Sequence, residues 1–136
     1  MQTQQTLVQF SRLACRASFQ VLSGNVILIR ATGPISCSAV QDIGRAVNEK
    51  FGQSARGWVF DYSRAVLTAT DAELRQLTAT AYFDAWKRPA AYVGNPEAMP
   101  QLQEQALRLA RKGFDRRCFD TVERAHEWIS WMNARA

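Results

Sequence analysis

The chain has 136 residues, 47% of them hydrophobic and 21% charged, and a net charge of +5. This length and composition exclude a solenoid, a disordered tail and a disulfide-stapled miniprotein, and leave one globular domain large enough to bury its own core. Three dispersed cysteines (Cys15, Cys37 and Cys118) with no C-x-x-C pair point to free thiols in a reducing, cytoplasmic setting.

Residues 1–12 are polar, with isolated apolar positions at Leu7, Val8 and Phe10. They read as a flexible or loosely packed lead-in to a single domain over 13–136. No charged segment precedes an apolar core there, so no signal peptide is read. From Cys15 to Leu22, apolar residues alternate with polar ones, the period of a half-buried strand. Ser23-Gly24-Asn25 supplies a tight turn, and Val26 to Ala31 follows as a more buried strand. The aliphatic run at its start, Val26-Ile27-Leu28-Ile29, is far too short to span a bilayer. Gly33-Pro34 ends the hairpin.

Ser36 or Ser38 then caps a helix whose apolar face is Val40, Ile43, Val47 and Phe51, stopped at Gly52. Gly57 to Asp61 is a short buried strand, and Tyr62 to Ala69 reads as a loop. Thr70-Asp71-Ala72-Glu73 has capping-box spacing and opens a second helix with Leu74, Leu77 and Ala81 on its apolar face. Ala90 to Val93 is another strand. Asn95-Pro96-Glu97 reads as the start of a third helix, carrying Met99, Leu102, Ala106 and Leu109 and stopped at Gly113. Arg117 to Phe119 is a last strand, and Asp120 or Thr121 caps a final helix with Val122, Ala125, Ile129 and Met132 inward. The order β-β-α-β-α-β-α-β-α predicts an α/β domain. It has one mixed sheet of about five strands, antiparallel first and mainly parallel afterwards, and about four helices.

This element order, with Asp61-Tyr62-Ser63 closing a strand before a capped helix, resembles a STAS domain. So do Val93-Gly94-Asn95 before a helix and Cys118-Phe119-Asp120 leading into Glu123-Arg124-Ala125-His126-Glu127-Trp128-Ile129. The resemblance is to the SpoIIAA-like group, which includes the bacterial anti-sigma-factor antagonists, and covers roughly residues 15–132. It implies a non-enzymatic, regulatory module that binds a protein partner or itself as a dimer. It also implies a switch residue at the start of the second helix. The family places a phosphorylatable serine there, within Asp-Ser-Ser-Gly. This chain has Thr68-Ala69-Thr70-Asp71-Ala72-Glu73, so Thr70 is the hydroxyl nearest that place and Asp71 already supplies a negative charge. The candidate interaction surface is therefore Thr70 and Asp71 with Asp61 and Ser63 of the preceding strand and loop.

The residues themselves offer little chemistry. The single histidine, His126, has no nucleophile placed near it, and the cysteines and carboxylates do not converge with metal-ligand spacing. Cys37 stands at a helix start, where the dipole lowers a thiol pKa, but the preferred reading is a small buried cap-region residue. No catalytic residue, metal or cofactor is expected. Arg108, Arg111, Lys112, Arg116 and Arg117 form the densest basic stretch. They lack interleaved aromatics and suit a helix C-terminus, so no nucleic-acid partner is expected. Tyr82, Phe83 and Trp86 cluster after the second helix. They support an alternative function, the carriage or sensing of a small apolar or lipid-like ligand, which requires a cavity of a few hundred Å³ beside them.

Overall fold

The computed structural model describes the backbone of residues 5–10, 15–80 and 84–135, and the side chains of residues 15–77 and 86–135. Six strands form one sheet in sequential order: β1 (Gln5–Phe10), β2 (Cys15–Leu22), β3 (Val26–Ile35), β4 (Gly57–Leu67), β5 (Ala90–Gly94) and β6 (Arg116–Phe119). Pairing is antiparallel from β1 to β3 and parallel from β3 to β6. The helices are α1 (Cys37–Phe51), α2 (Asp71–Thr80), α3 (Met99–Arg111) and α4 (Val122–Arg135), with a short 3₁₀ turn at Asp84–Lys87. This is the mixed sheet that the pattern predicts, with one strand more.

The additional strand lies where a lead-in was expected. Gln5–Phe10 pairs with Cys15–Gln20, so the antiparallel edge passes from β2 to β1. Leu7 and Val8 are adjacent, so these six residues lack the apolar–polar alternation that marks a half-buried strand. Two other bounds differ. The strand expected to end at Ala31 runs to Ile35, and the expected loop from Tyr62 is strand as far as Leu67. These two extensions pair with each other, Thr32 to Ile35 against Arg64 to Leu67. Gly33-Pro34 is tolerated because the pairing continues around it.

Three successive crossovers (β3–α1–β4, β4–α2–β5 and β5–α3–β6) step in one direction across the sheet. Crossovers of one hand then place their helices on one face. That face carries the larger core, in which Phe19, Ile29, Trp58 and Phe60 of the sheet meet Ile43 and Val47 of α1 and Leu102 of α3. The chain turns over after β6, and α4 packs on the opposite face against Val26, Leu28, Val59, Ala91 and Val93 through Ala125 and Ile129. Gly57 permits this close approach, since a Cβ there would overlap Cγ2 of Ile129.

The caps follow local chemistry. Of the two candidate serines, Ser36 is the cap of α1: its Oγ accepts from the Ala39 N–H at 3.1 Å. Thr121, not Asp120, caps α4, accepting from the Arg124 N–H at 3.2 Å. Asn95 caps at its expected position, but the helix starts about one turn later than expected. The Asn95 Oδ1 accepts from the Ala98 N–H at 2.8 Å, and α3 proper begins at Met99, because residues 96–98 form a separate turn. Ala81, expected on the apolar face of α2, lies outside the described residues. The turn after β2 uses positive φ at Gly24 (77°) and Asn25 (57°), as its composition requires.

Candidate functional site

The residues singled out from the sequence do not form one site. Thr70 and Asp71 stand at the start of α2, on the side of the sheet that carries three helices. Thr70 and Glu73 form a reciprocal capping box. The Glu73 N–H donates to Thr70 Oγ1 at 3.1 Å, and the Thr70 N–H donates to Glu73 Oε1 at 2.9 Å. Gln101 of α3 fastens this corner, donating to the Ala69 carbonyl at 3.2 Å and to Asp71 Oδ1 at 3.3 Å.

Asp61 and Ser63 are on β4, and Asp61 faces the other side of the sheet. It is 9% exposed, pairs with Arg30 Nε at 3.4 Å and accepts from the Ser63 N–H at 3.0 Å. Two residues of β4, Tyr62 and Ser63, oppose the single Ala31 of β3, which makes a β-bulge. Asn95 clamps the bulge from the end of β5, donating from Nδ2 to the carbonyls of Ser63 (3.2 Å) and Ala65 (3.1 Å). Asp61 and Asn95 thus hold a backbone irregularity in place.

Trp86 does border a cavity. A space of about 290 Å³ lies between the sheet and the helices. Its floor is Phe60 and Tyr62 of β4 and Tyr92 of β5, and its walls are Trp86, Leu102 and the middle of α1 at Gly44. Leu74 and Leu77 of α2 close it from above. Among the described residues, α2 packs chiefly on α1 and α3, which leaves this space between it and the strands. The floor is a run of aromatic contacts: Phe60 stacks on Tyr62 and Tyr92, with ring centroids 6.2 and 5.7 Å apart, and Trp86 meets Trp58 at 5.0 Å. Burial pushes the phenols of both Tyr62 and Tyr92 above the ordinary tyrosine range. At Tyr92 the neighbouring Arg116, which hydrogen-bonds the phenol, works against that rise. Tyr82 and Phe83, the other two members of the expected aromatic cluster, lie outside the described residues.

The sequence reading missed Gly44 and Tyr62 as cavity residues. A glycine in mid-helix was the available signal, since it runs against helix propensity and needs a packing reason.

The remaining candidates have structural occupations. His126 Nε2 donates to the Ser23 carbonyl at 2.9 Å and ties α4 to the β2–β3 turn. Cys37 has its pKa raised, first by burial and then by the Glu73 charge, opposite to the shift that activates a thiol at a helix start. Arg108 pairs with Glu104 at 2.9 Å. Arg116 donates to the carbonyls of Arg88, Asp115 and Trp86, so two members of the basic stretch are engaged. Among the described residues there is no cluster of three or more potential metal ligands, and no helix is long and apolar enough to cross a membrane.

No protein-family model matches the chain, and no curated protein sequence does. Solved structures do. An uncharacterised protein of the DUF3478 family from Shewanella loihica, described as having a SpoIIAA-like fold, is 12% identical. The match covers 95% of this chain and 98% of that one, with a TM-score of 0.53. The anti-sigma factor antagonist SpoIIAA in its unphosphorylated form is 14% identical, over 84% of this chain and 97% of that one, also at 0.53. At these identities the likeness is one of fold and carries no residue roles across: the domain has the SpoIIAA-like fold.

Proposed function

We propose that this domain is a non-enzymatic binding module that takes a small, mainly apolar ligand in the cavity beneath α2. The observation that carries this reading is the cavity itself, with Phe60, Tyr62 and Tyr92 as its aromatic floor. Ligand sites combine apolar walls with a few placed polar groups, and about 290 Å³ is near the lower end of their range. The ligand is therefore small, an aromatic ring or a short acyl chain, with a hydrogen-bonding end directed to the phenols. The test is native mass spectrometry of protein purified gently from its own cells, followed by titration with phenylnaphthylamine as an apolar fluorescent probe. A co-purifying small molecule that the probe displaces supports the reading. Bare protein that also fails to bind the probe overturns it.

A second reading, a protein-interaction surface at the start of α2, is favoured by Val66. This side chain is 60% exposed. In the β3–β4 register it lies beside exposed Pro34, on the segment leading to exposed Thr70 and Asp71. Binding that uses this surface weakens in Val66→Asp and Asp71→Lys variants. Phosphorylation of Thr70 would act against the existing cap, because the Glu73 carboxylate already lies at the Thr70 backbone and Asp71 adds a second negative charge. Phosphate on Thr70 in protein from native cells, with unchanged stability, would contradict that argument.

A further inference from the structure

Beyond α4, on the same face of the sheet, two cross-strand rows run over β2, β3 and β4. One is Arg16–Thr32–Arg64 and the next is Ser18–Arg30–Asp61. With Ser63 they line a polar groove of about 490 Å³. Three guanidiniums against one carboxylate leave the groove with an excess of two positive charges. Asp61 is already committed to Arg30 Nε and to the Ser63 N–H. Among the described residues, Arg16 and Arg64 have no ion-pair partner, and both are exposed.

The bulge at Tyr62–Ser63 decides this arrangement. Strand residues alternate between faces, so if residues 61–64 ran as a regular strand with no bulge, Arg64 would share the inward face of Tyr62. With it, Tyr62 and Ala65 stay buried while Arg64 joins Arg16 and Arg30 outside. The side chains of Asp61 and Asn95 are spent on holding this bulge. Adjacent strands lie about 4.8 Å apart, so the backbones under Arg16 and Arg64 are separated by roughly 10 Å, with Thr32 between them. Two long side chains rooted at that spacing can close on one small group above Thr32.

We infer that this groove is a binding site for a phosphate group. Every uncommitted polar group in it is a guanidinium or a hydroxyl, and planar guanidinium forks match the oxygens of a phosphate. The groove presents no aromatic side chain on which a base would stack, which favours an isolated phosphate over a nucleic-acid strand. The site lies on the opposite side of the sheet from the cavity and does not depend on it.

The test is backbone amide NMR of the whole chain, titrated with inorganic phosphate and, separately, with a phosphoserine peptide, each against sodium chloride at matched ionic strength. The expected result is saturable shifts confined to residues 16–18, 30–32 and 61–64. An Arg16→Gln/Arg64→Gln double variant should bind at least tenfold more weakly with an unchanged melting temperature. Arg64→Lys, which keeps the charge and loses the fork, should fall between. Tighter binding of the peptide would identify the phosphate as carried on protein, and equal binding would identify a free phosphate or a small ester. Shifts that follow chloride equally, shifts that map to residues 108–117, or full affinity in the double variant would each overturn the inference.

Discussion

Gly44 sits in the middle of α1 and lines the cavity. Glycine in a helix interior costs about 0.8–1.0 kcal/mol relative to alanine. A Cβ at this position would meet only Trp86 Cζ2, at 3.7 Å, which is ordinary van der Waals contact. Gly44→Ala should therefore stabilise the domain by about 0.5–1 kcal/mol, raising its melting temperature by roughly 2–4 °C. Gly44→Leu goes further, since its side chain enters the cavity. Burying it adds up to about 1.5–3 kcal/mol of apolar stabilisation and removes the room a ligand would use. The two variants separate stability from binding. Calorimetry should show both at or above the melting temperature of the natural chain. Phenylnaphthylamine titration should show affinity little changed in Gly44→Ala and at least tenfold lower in Gly44→Leu. A lower melting temperature for Gly44→Ala would mean that the wall is closed and the cavity does not exist as described. Unchanged probe affinity in Gly44→Leu would place the probe elsewhere and remove the cavity from the proposed function.

Ile129→Ala empties a fully buried position under α4 and should cost about 2–5 kcal/mol in urea unfolding. Gly57→Ala overpacks the same contact from the sheet side and should cost about 1–3 kcal/mol. Thr70→Ala should cost about 1 kcal/mol, and a double-mutant cycle with Glu73→Ala should show less than additive losses, because each removes half of one reciprocal box. Asn95→Ala should speed amide exchange at residues 63–65 ahead of global unfolding, since three hydrogen bonds of the bulge and the following turn depend on that side chain. Burial pushes the Cys118 thiol from 9.0 up to about 11. The folded state then keeps a proton that the unfolded chain loses above pH 9.0, so this contribution to stability is complete below that pH and is lost as pH rises to about 11. Cys118→Ala should flatten the decline over that interval, measured by urea midpoints at successive pH values.

Much of the architecture is written in local pattern. Alternation from Cys15 to Leu22, the capping box at Thr70 and the apolar stripe of the last helix each act within a few residues, so periodicity and cap chemistry report them directly. The α/β class follows from the order of these elements. Three features needed the assembled sheet. Gln5–Phe10 becomes a strand only because β2 offers an edge for it. The strand beyond Asp61 exists because β3 also runs on to Ile35, and the bulge that re-aims Arg64 is a mismatch between two strands more than twenty residues apart in the chain. The cavity is likewise invisible locally. Leu74 and Leu77 form an ordinary apolar helix face in the sequence. Whether that face touches the strands or stands off on α1 and α3 is settled by how the three helices share one side of the sheet. Sequence alone determined the α/β class, the four helices and the cores of five of the strands, because cap chemistry and periodicity act locally. Tertiary packing decided which side chains meet across the sheet, and so placed the aromatic floor on one face and the arginine groove on the other.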